Sequence, residues 1–570
     1  VSEQKTNNLG DSTMSRRDFL QAGTAGSSLL AAGLAGIGLP TSVVARRSDD
    51  AWVEKSILAL QAEMATGRLS SRELTQNYLS RIRELNPTLA AVIETNPQAV
   101  AIAAQRDNER RAGVLRGPLH GIPILLKDNI ATADAMETTA GSLALLRSVV
   151  PDDAPIVRRL RAAGAVILGK ANLSEWANFR GFAPPDFNGW TARGGKTRNP
   201  YNLGFDTSGS SSGSAVAVAA NLCTAAVGTE TDGSIVSPCG NNLVVGLKPS
   251  LGLLSQQGII PIAHSQDTAG PIGRCVADVA ILLGAMLTPS DALAGANVPA
   301  DYTQFLRRGA LRHARIGIDT RYFTPDYGGE PDLVAVAMEG IRTMQALGAE
   351  VVEVDTGDPI ATGLYDAEFL VLLMEFKPQI AAYLAQLRHS RMRSLADLIA
   401  FNLANCPKEM PYYGQELFEL SESMSGDLSD PDYLAARALC LELTRTQGID
   451  RVLSEARVDA IVAPSYSYAS SPAAVAGYPD IAVPVGLTSD GRPAGLMMYA
   501  GALQEPKLLA FAYDLEQELR TRLYNPPRYL GTPQPFPPDP GLCAVPTKPK
   551  APKGSLRVHR HLGTGKQLRR

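Results

Sequence analysis

At 570 residues, 45% hydrophobic and 19% charged, the chain can bury a large core, which excludes wholesale disorder. A formal net charge of -3 gives no global electrostatic reason to expect nucleic acid or an acidic membrane as partner, so any partner has to be argued from a site. Six cysteines, at 223, 239, 275, 406, 440 and 543, show no C-x-x-C pair and no Cys/His cluster of zinc spacing. No metal or other cofactor is expected, and most of these thiols, in apolar surroundings, read as buried and free although export would permit disulfides.

In chain order, the first signal is Ser15-Arg16-Arg17-Asp18-Phe19-Leu20, followed by a Gly/Ala-rich apolar run to Leu39 and then Ser42-Val43-Val44-Ala45. This resembles a twin-arginine export signal with cleavage after Ala45, and it implies a periplasmic or secreted protein that uses the twin-arginine machinery. The run is too short and Gly-rich for a membrane span, which takes about 20 apolar residues. Ser70 and Glu73 then form an S-x-x-E capping box, with Leu74, Tyr78, Leu79, Ile82 and Leu85 at helical spacing and Asn86-Pro87 as the expected stop. A polar helix is predicted from Gln98 to Ala112, and Gly121 to Lys127 reads as a buried strand ending on a lysine. A helix over Ile156–Ala163 and a strand over Ala165–Leu168 follow.

The region Asp206–Ser214 is a Ser/Gly loop running into a helix of small residues, Ala215–Asn221. A strand over Thr224–Val227 leads into a second turn, Gly228 to Ser234. From about Arg315 to Tyr524, helices alternate with short strands, ending in Asp459–Pro464 and Asp480–Pro484 as strands entering the sheet. There is no repeat of solenoid type. The expected fold is α/β, a single large domain over 46–535 with a central mixed, mostly covered β-sheet flanked by helices. Residues 1–45 are the signal segment. The remainder, 536–570, is a Pro-rich and then basic tail, with eight Lys/Arg and no acidic residue from Gly541 onward, and it is expected to be disordered.

Lys127 carries the first chemical hint. A lysine at the end of an apolar strand is costly unless paired; the bland reading is that it reaches solvent or pairs with Asp128. A catalytic base would need a neutral amine, and from an ordinary pKa of about 10.4 desolvation can lower a lysine toward roughly 7 to 8. The two Ser/Gly loops could be linkers or phosphate cradles, but both are tethered to apolar core runs. A serine on a tight glycine turn is presented beside consecutive backbone N–H groups, which is the geometry of an oxyanion hole.

The string Gly209-Ser210-Ser211-Ser212-Gly213-Ser214, followed by Gly228-Thr229-Glu230-Thr231-Asp232-Gly233-Ser234-Ile235 and preceded by Gly121-Ile122-Pro123 to Lys127-Asp128-Asn129, resembles the amidase signature family over roughly residues 52–525. Within it, Asn172 to Arg180, Ala192 to Pro200 and Ala474 to Pro479 are similar to the peptide amidases. The resemblance implies Ser234 as nucleophile, Ser210 as a bridging serine in a cis peptide and Lys127 as terminal proton acceptor. It also implies an oxyanion hole from the backbone of Thr231, Asp232, Gly233 and Ser234, with Thr229 and Asp267 holding the relay from behind. The implied activity is hydrolysis of C-terminal peptide amides to acid and ammonia, with a small-molecule or short-peptide amide as partner and no nucleic acid. The alternatives are an amidase of small or aromatic amides and a non-catalytic exported binding protein. Asp232 stands where the wider family commonly has glycine. The chain between Val462-Ala463-Pro464 and Ala473 is shorter than the peptide amidase pattern, which bears on peptide length.

Two rivals are weaker. Gly209 to Gly213 also fits G-x-S-x-G with Ser211 as nucleophile, but the preceding Tyr201–Thr207 is not a buried strand, and only six histidines exist in the chain. Gly195-Lys196-Thr197 fails as a P-loop because the first glycine of that motif would fall on Trp190. A transfer-RNA transamidase shares the family pattern but would be cytoplasmic.

Overall fold

The apolar runs expected to be strands pair side by side. The structure is a computed structural model that describes residues 51–533, 535–539 and 541–543; the expected signal segment and most of the basic tail lie outside the described residues. In chain order the strands are β1 (Val92–Thr95), β2 (Pro123–Lys127), β3 (Val166–Ala171), β4 (Trp190–Thr191), β5 (Gly195–Lys196), β6 (Ala225–Glu230) and β7 (Val245–Lys248). They continue as β8 (Thr268–Gly273), β9 (Arg315–Ile318), β10 (Glu350–Glu353), β11 (Ala460–Pro464), β12 (Asp480–Leu487) and β13 (Pro493–Tyr499). Eleven of them form one sheet in the order β1-β3-β2-β6-β8-β7-β12-β13-β11-β9-β10, and β4 and β5 form a separate small hairpin.

The sheet is mixed, as expected. β2 runs parallel to both β3 and β6, and β9 parallel to β10 and β11, while β6/β8, β7/β8, β7/β12 and β12/β13 are antiparallel. The inner strands β2, β3, β6, β7, β8, β11 and β13 are buried along their whole length, which requires helices on both faces. The edge strand β10 instead has exposed glutamates at both ends, the usual protection of an unpaired edge. The unit from Trp52 onward is one compact body around this sheet, in keeping with a single large domain.

Several boundaries differ from expectation for identifiable reasons. The helix expected to stop at Asn86-Pro87 runs Ser71–Leu89, with Pro87 inside its last turn; Ala90, at φ 46°, closes it by donating its N–H to Asn86 O at 2.8 Å. Asn86 is engaged as a turn residue all the same, exchanging hydrogen bonds of 2.8 Å with the backbone of Val92. At the other end, Ser70 Oγ accepts the Glu73 N–H at 3.1 Å, the serine half of the expected capping box, without the reciprocal bond from the Glu73 side chain. β6 extends three residues past Val227, because Gly228, Thr229 and Glu230 pair with Gly270, Ala269 and Thr268 of β8. β8 itself, rich in glycine and proline, carries no strand signal in its composition.

Cys223, Cys239, Cys275 and Cys440 are free, as expected of most of the cysteines, but Cys406 and Cys543 depart from that reading and form a disulfide, with Cα atoms 5.6 Å apart. The start of the expected disordered tail is packed: Asp539 donates its N–H to Pro411 O at 2.7 Å, and Phe536 lies against Phe187 and under the Arg198 guanidinium.

Candidate active site

The site is built where β2 and β6 end side by side. Leu126 faces Val227 in the parallel register, so Lys127 leaves its strand next to Gly228 and Thr229. The Lys127 side chain is fully buried. Its Nζ lies 2.7 Å from Ser210 Oγ, 3.0 Å from Ser211 Oγ, 2.9 Å from Thr229 Oγ1 and 3.1 Å from Thr229 O. No carboxylate is among these partners, so the bland reading, a pair with Asp128, is not what forms. Asp128 turns the other way, taking the Thr139 hydroxyl at 2.5 Å, the Gly141 N–H at 3.1 Å and Arg193 at 3.3 Å.

Burial brings the Lys127 amine down to about 7, against the opposing pull of the Glu230 and Asp267 charges. The hydrogen-bond inventory suits the neutral form, which has two N–H groups and one lone pair. Thr229 O can only accept, and Ser211 sends its proton to that same carbonyl at 3.0 Å. The proton offered to the lysine lone pair therefore comes from the Ser210 or the Thr229 hydroxyl. The latter also accepts from Asn129 Nδ2 at 3.0 Å.

The Ser/Gly loop is fixed from three sides. The Gly209–Ser210 peptide is cis, Ser210 O accepts the Ser174 N–H at 3.0 Å, and the Ser211 N–H donates to Ser234 O at 3.0 Å. The loop then enters the helix Ser212–Ala219, whose Gly213 sits so close to a neighbouring segment that a Cβ would lie 2.4 Å from both Ala91 O and Asn172 O. Ser210 and Ser234 are thus neighbours through Ser211. A direct contact between their hydroxyls is not among the bonds formed in this state.

The turn carrying Ser234 is held by carboxylates. Glu230, at the end of β6, bends back so that one oxygen accepts the N–H groups of Ile235 at 2.6 Å and Val236 at 3.1 Å. Asp267 takes the Thr231 hydroxyl at 2.6 Å while its other oxygen takes the N–H groups of Ile262 and Ala263, and burial pushes its carboxyl up to about 7. Asp232 accepts the hydroxyls of Ser470 at 2.6 Å and Ser471 at 2.8 Å. Between them Gly233 adopts φ +75°, the left-handed conformation a tight turn needs. Among the described residues the N–H groups of Gly233 and Ser234 meet no acceptor, so they are open to an oxygen anion from outside the chain.

These groups face a cavity of about 70 Å³, where Ser234 is 9% exposed. The turn 231–234 forms one wall, Tyr466, Ser470 and Ser471 a second, and Phe179, Ile262 and Leu372 an apolar third. Ala177 and Asn178 belong to it too, in a run of three left-handed residues, Trp176, Ala177 and Asn178, at φ 51°, 54° and 69°. Such a run of non-glycine residues costs energy and persists only where packing enforces it. Here Trp176 and Phe179 are sunk in the core beside Phe418 and Phe376. Tyr466, Ser467, Tyr468, Ser470 and Ser471, from the stretch expected to be short, line the cleft. Among the described residues no group of three or more His, Cys, Asp and Glu side chains is arranged to hold a metal ion.

Of the residues singled out in the sequence, Lys127, Ser210 and Thr229 meet in direct contact, Ser234 and the turn 231–233 stand beside them, and Asp267 supports the turn instead of the amine. The Arg193 segment is outside the cavity wall: it is the β4–β5 hairpin, and Arg193 pairs with Glu94 and Asp128. Ser211 is no exposed elbow, being fully buried between Lys127 and Thr229. Sequence reasoning missed the Glu230 clamp, Asn129, and Ser470 and Ser471 as partners of Asp232. Glu230 alone carried a signal, as a carboxylate lodged in an apolar strand end.

The Amidase family model matches residues 73–509. A probable amidase of Arabidopsis thaliana is 42% identical over 489 residues, covering 84% of this chain and 92% of that protein. A putative amidase of Schizosaccharomyces pombe is 35% identical over 512 residues, covering 82% of this chain and 85% of that protein. Among solved structures, the native peptide amidase from Stenotrophomonas maltophilia is 48% identical with a TM-score of 0.77, covering 84% of this chain and 99% of that one. A peptide amidase in complex with the competitive inhibitor chymostatin is 49% identical at the same TM-score, covering 84% and 100%.

Proposed function

The chain belongs to the amidase family and is an amidase hydrolase, and from that premise we propose that it converts C-terminal peptide amides to the free acid and ammonia through a relay of Ser234, Ser210 and Lys127. The observation that carries the relay is a fully buried amine 2.7 Å from Ser210, which burial brings down to about 7, with the Ser234 turn alongside. Ser234 Oγ attacks the amide carbon as its proton passes to Ser210 and the Ser210 proton to Lys127. The carbonyl oxygen, now an anion, is received by N–H groups of the turn 231–234. Lys127 returns the proton through Ser210 to the departing nitrogen, the C–N bond breaks and ammonia leaves. Water then attacks the ester on Ser234 with the same relay as base, releasing the acid. The peptide amide as substrate is supported by the likeness to peptide amidases, and by the cavity wall that Ala177, Asn178 and Phe179 contribute.

Ammonia release from a short amidated peptide, a free amino-acid amide and an aliphatic amide, for wild type and Ser234→Ala, tests both parts. Release chiefly from the peptide amide and lost in the variant is the expected result. Release only from small amides would remove the substrate assignment, and activity surviving in the variant would remove the nucleophile. We further propose that the protein is exported by the twin-arginine route, on the Arg16-Arg17 segment. The Cys406–Cys543 disulfide supports this, because disulfides persist in oxidising compartments. Fractionation of the producing cells tests it, and accumulation in the cytoplasm would refute it.

A further inference from the structure

The charge of the cleft has a consequence for which amides it accepts. Of the described residues lining the cavity, Asp232 alone carries a formal charge, and no Lys, Arg or His is among them. Asp232 is part-exposed, stands two residues before Ser234, and is held in place by Ser470 and Ser471. Two further acids stand behind the wall, Asp267 behind Thr231 at 2.6 Å and Asp206 behind the Tyr466 hydroxyl at 2.9 Å, and burial raises both carboxyls. The Lys127 amine is engaged by Ser210, Ser211 and Thr229 and does not line the cavity. The same lining includes the apolar side chains of Phe179, Ile262 and Leu372.

Resting on the reading of the cleft as an amidase site, we propose that it selects amides whose acyl residue is neutral or cationic and rejects those with a carboxylate, with Asp232 as the residue that sets this preference. An acyl side chain seated in the cavity lies within a few ångströms of the Asp232 carboxylate in a partly desolvated space. A second negative charge there is repelled, with no cation in the wall to offset it. An aliphatic chain meets the apolar face, and a lysine-like chain adds attraction to its tip.

The test compares three acetylated dipeptide amides that differ only in the last residue, which is norleucine, lysine or glutamate. For wild type at low ionic strength the kcat/KM of the glutamate amide should be at least about tenfold below the other two, and the gap should narrow as salt is raised. Asp232→Asn should reduce the lysine-to-glutamate ratio by about fivefold or more. Because the ratio is taken within one protein, a general loss of activity cancels. Equal rates for the glutamate amide, or a ratio that neither salt nor Asp232→Asn moves, would overturn the proposal. If no amide is hydrolysed, the amidase reading fails, and calorimetric Kd values of the same three amides on wild type still decide the charge preference. The same order in Kd supports it; equal affinities, or none, overturn it.

Discussion

Replacing Lys127 by methionine separates the cost of the buried amine from its use. In the fold this amine sits at about 7 against an ordinary value of 10.5, because burial penalises its charge. At roughly 1.4 kcal/mol per unit, the charged form is disfavoured in the folded state by about 5 kcal/mol. A group whose folded pKa is depressed in this way binds its proton in the unfolded chain but not in the native one across the window from about 7 to 10.5. Stability contributed by Lys127 therefore rises with pH through that window and is lowest below it. Between pH 7 and pH 9 the wild type should gain about 2 kcal/mol from this group, and Lys127→Met should gain nothing from it. The methionine leaves the Ser210 hydroxyl without its partner at a cost of about 1 to 3 kcal/mol, but that cost does not change with pH. Chemical denaturation of both proteins at pH 7, 8 and 9 reads the difference, while ammonia release should fall by about 10² to 10⁴. A stability difference that stays constant from pH 7 to 9 would refute a neutral Lys127, and turnover within tenfold of wild type would refute its role as base.

For the wild type, log kcat/KM should rise with unit slope up to about pH 7, where Lys127 loses its proton, and then level off; a profile flat down to pH 5 would exclude the lysine as base. Glu230→Ala removes the acceptor that ties the Ile235 and Val236 N–H groups, so kcat should drop by about 10² with KM changed a few-fold at most. An unchanged kcat would show that the turn holds its shape without the clamp. Arg180 is fully buried, paired with the Glu175 carboxylate and donating to the backbone carbonyl of Glu409, and Arg180→Met strands the Glu175 carboxylate, which should cost about 3 kcal/mol or more of stability in denaturant titration; a loss below about 1 kcal/mol would contradict this.

How far the sequence discloses the site depends on whether the partner lies nearby along the chain. Lys127, Ser210 and Ser234 were legible because each sits where an apolar run breaks into a polar turn, and the motif resemblance supplied their roles. The strands around them were legible for the same reason, as unbroken apolar stretches. β8 was not, because Gly270, Pro271 and Gly273 are poor strand formers, and pairing with β6 and β7 overrides that local preference. The partners of Asp232 lie 238 and 239 residues away, and no local pattern marks Ser470 or Ser471 out from other serines. The Cys406–Cys543 bridge was equally hidden, since six cysteines without a spacing pattern leave the pairing open. Ser211 was set aside as a nucleophile because no buried strand precedes its motif, and the structure buries it as a hydrogen-bond partner of the lysine.

The segment around Arg193, similar to the peptide amidases in sequence, serves the cleft from a distance. Lys127 is followed at once by a carboxylate, and an Asp128 paired with it would hold the amine charged and unable to accept a proton. Strand alternation sends the two side chains to opposite faces, but an unpaired buried carboxylate would still favour a cation nearby. The fold instead occupies Asp128 fully, with the Thr139 hydroxyl and the Gly141 N–H on one oxygen and Arg193 from the β4–β5 hairpin on the other. Burial raises the Asp128 carboxyl, and the Arg193 and Lys170 charges pull it back. That leaves Glu230 and Asp267 as the charges that pull the amine upward, and both are already committed to backbone N–H groups of the loops they support. Desolvation of Lys127 then wins, bringing the amine down to about 7 in a neighbourhood crowded with acids.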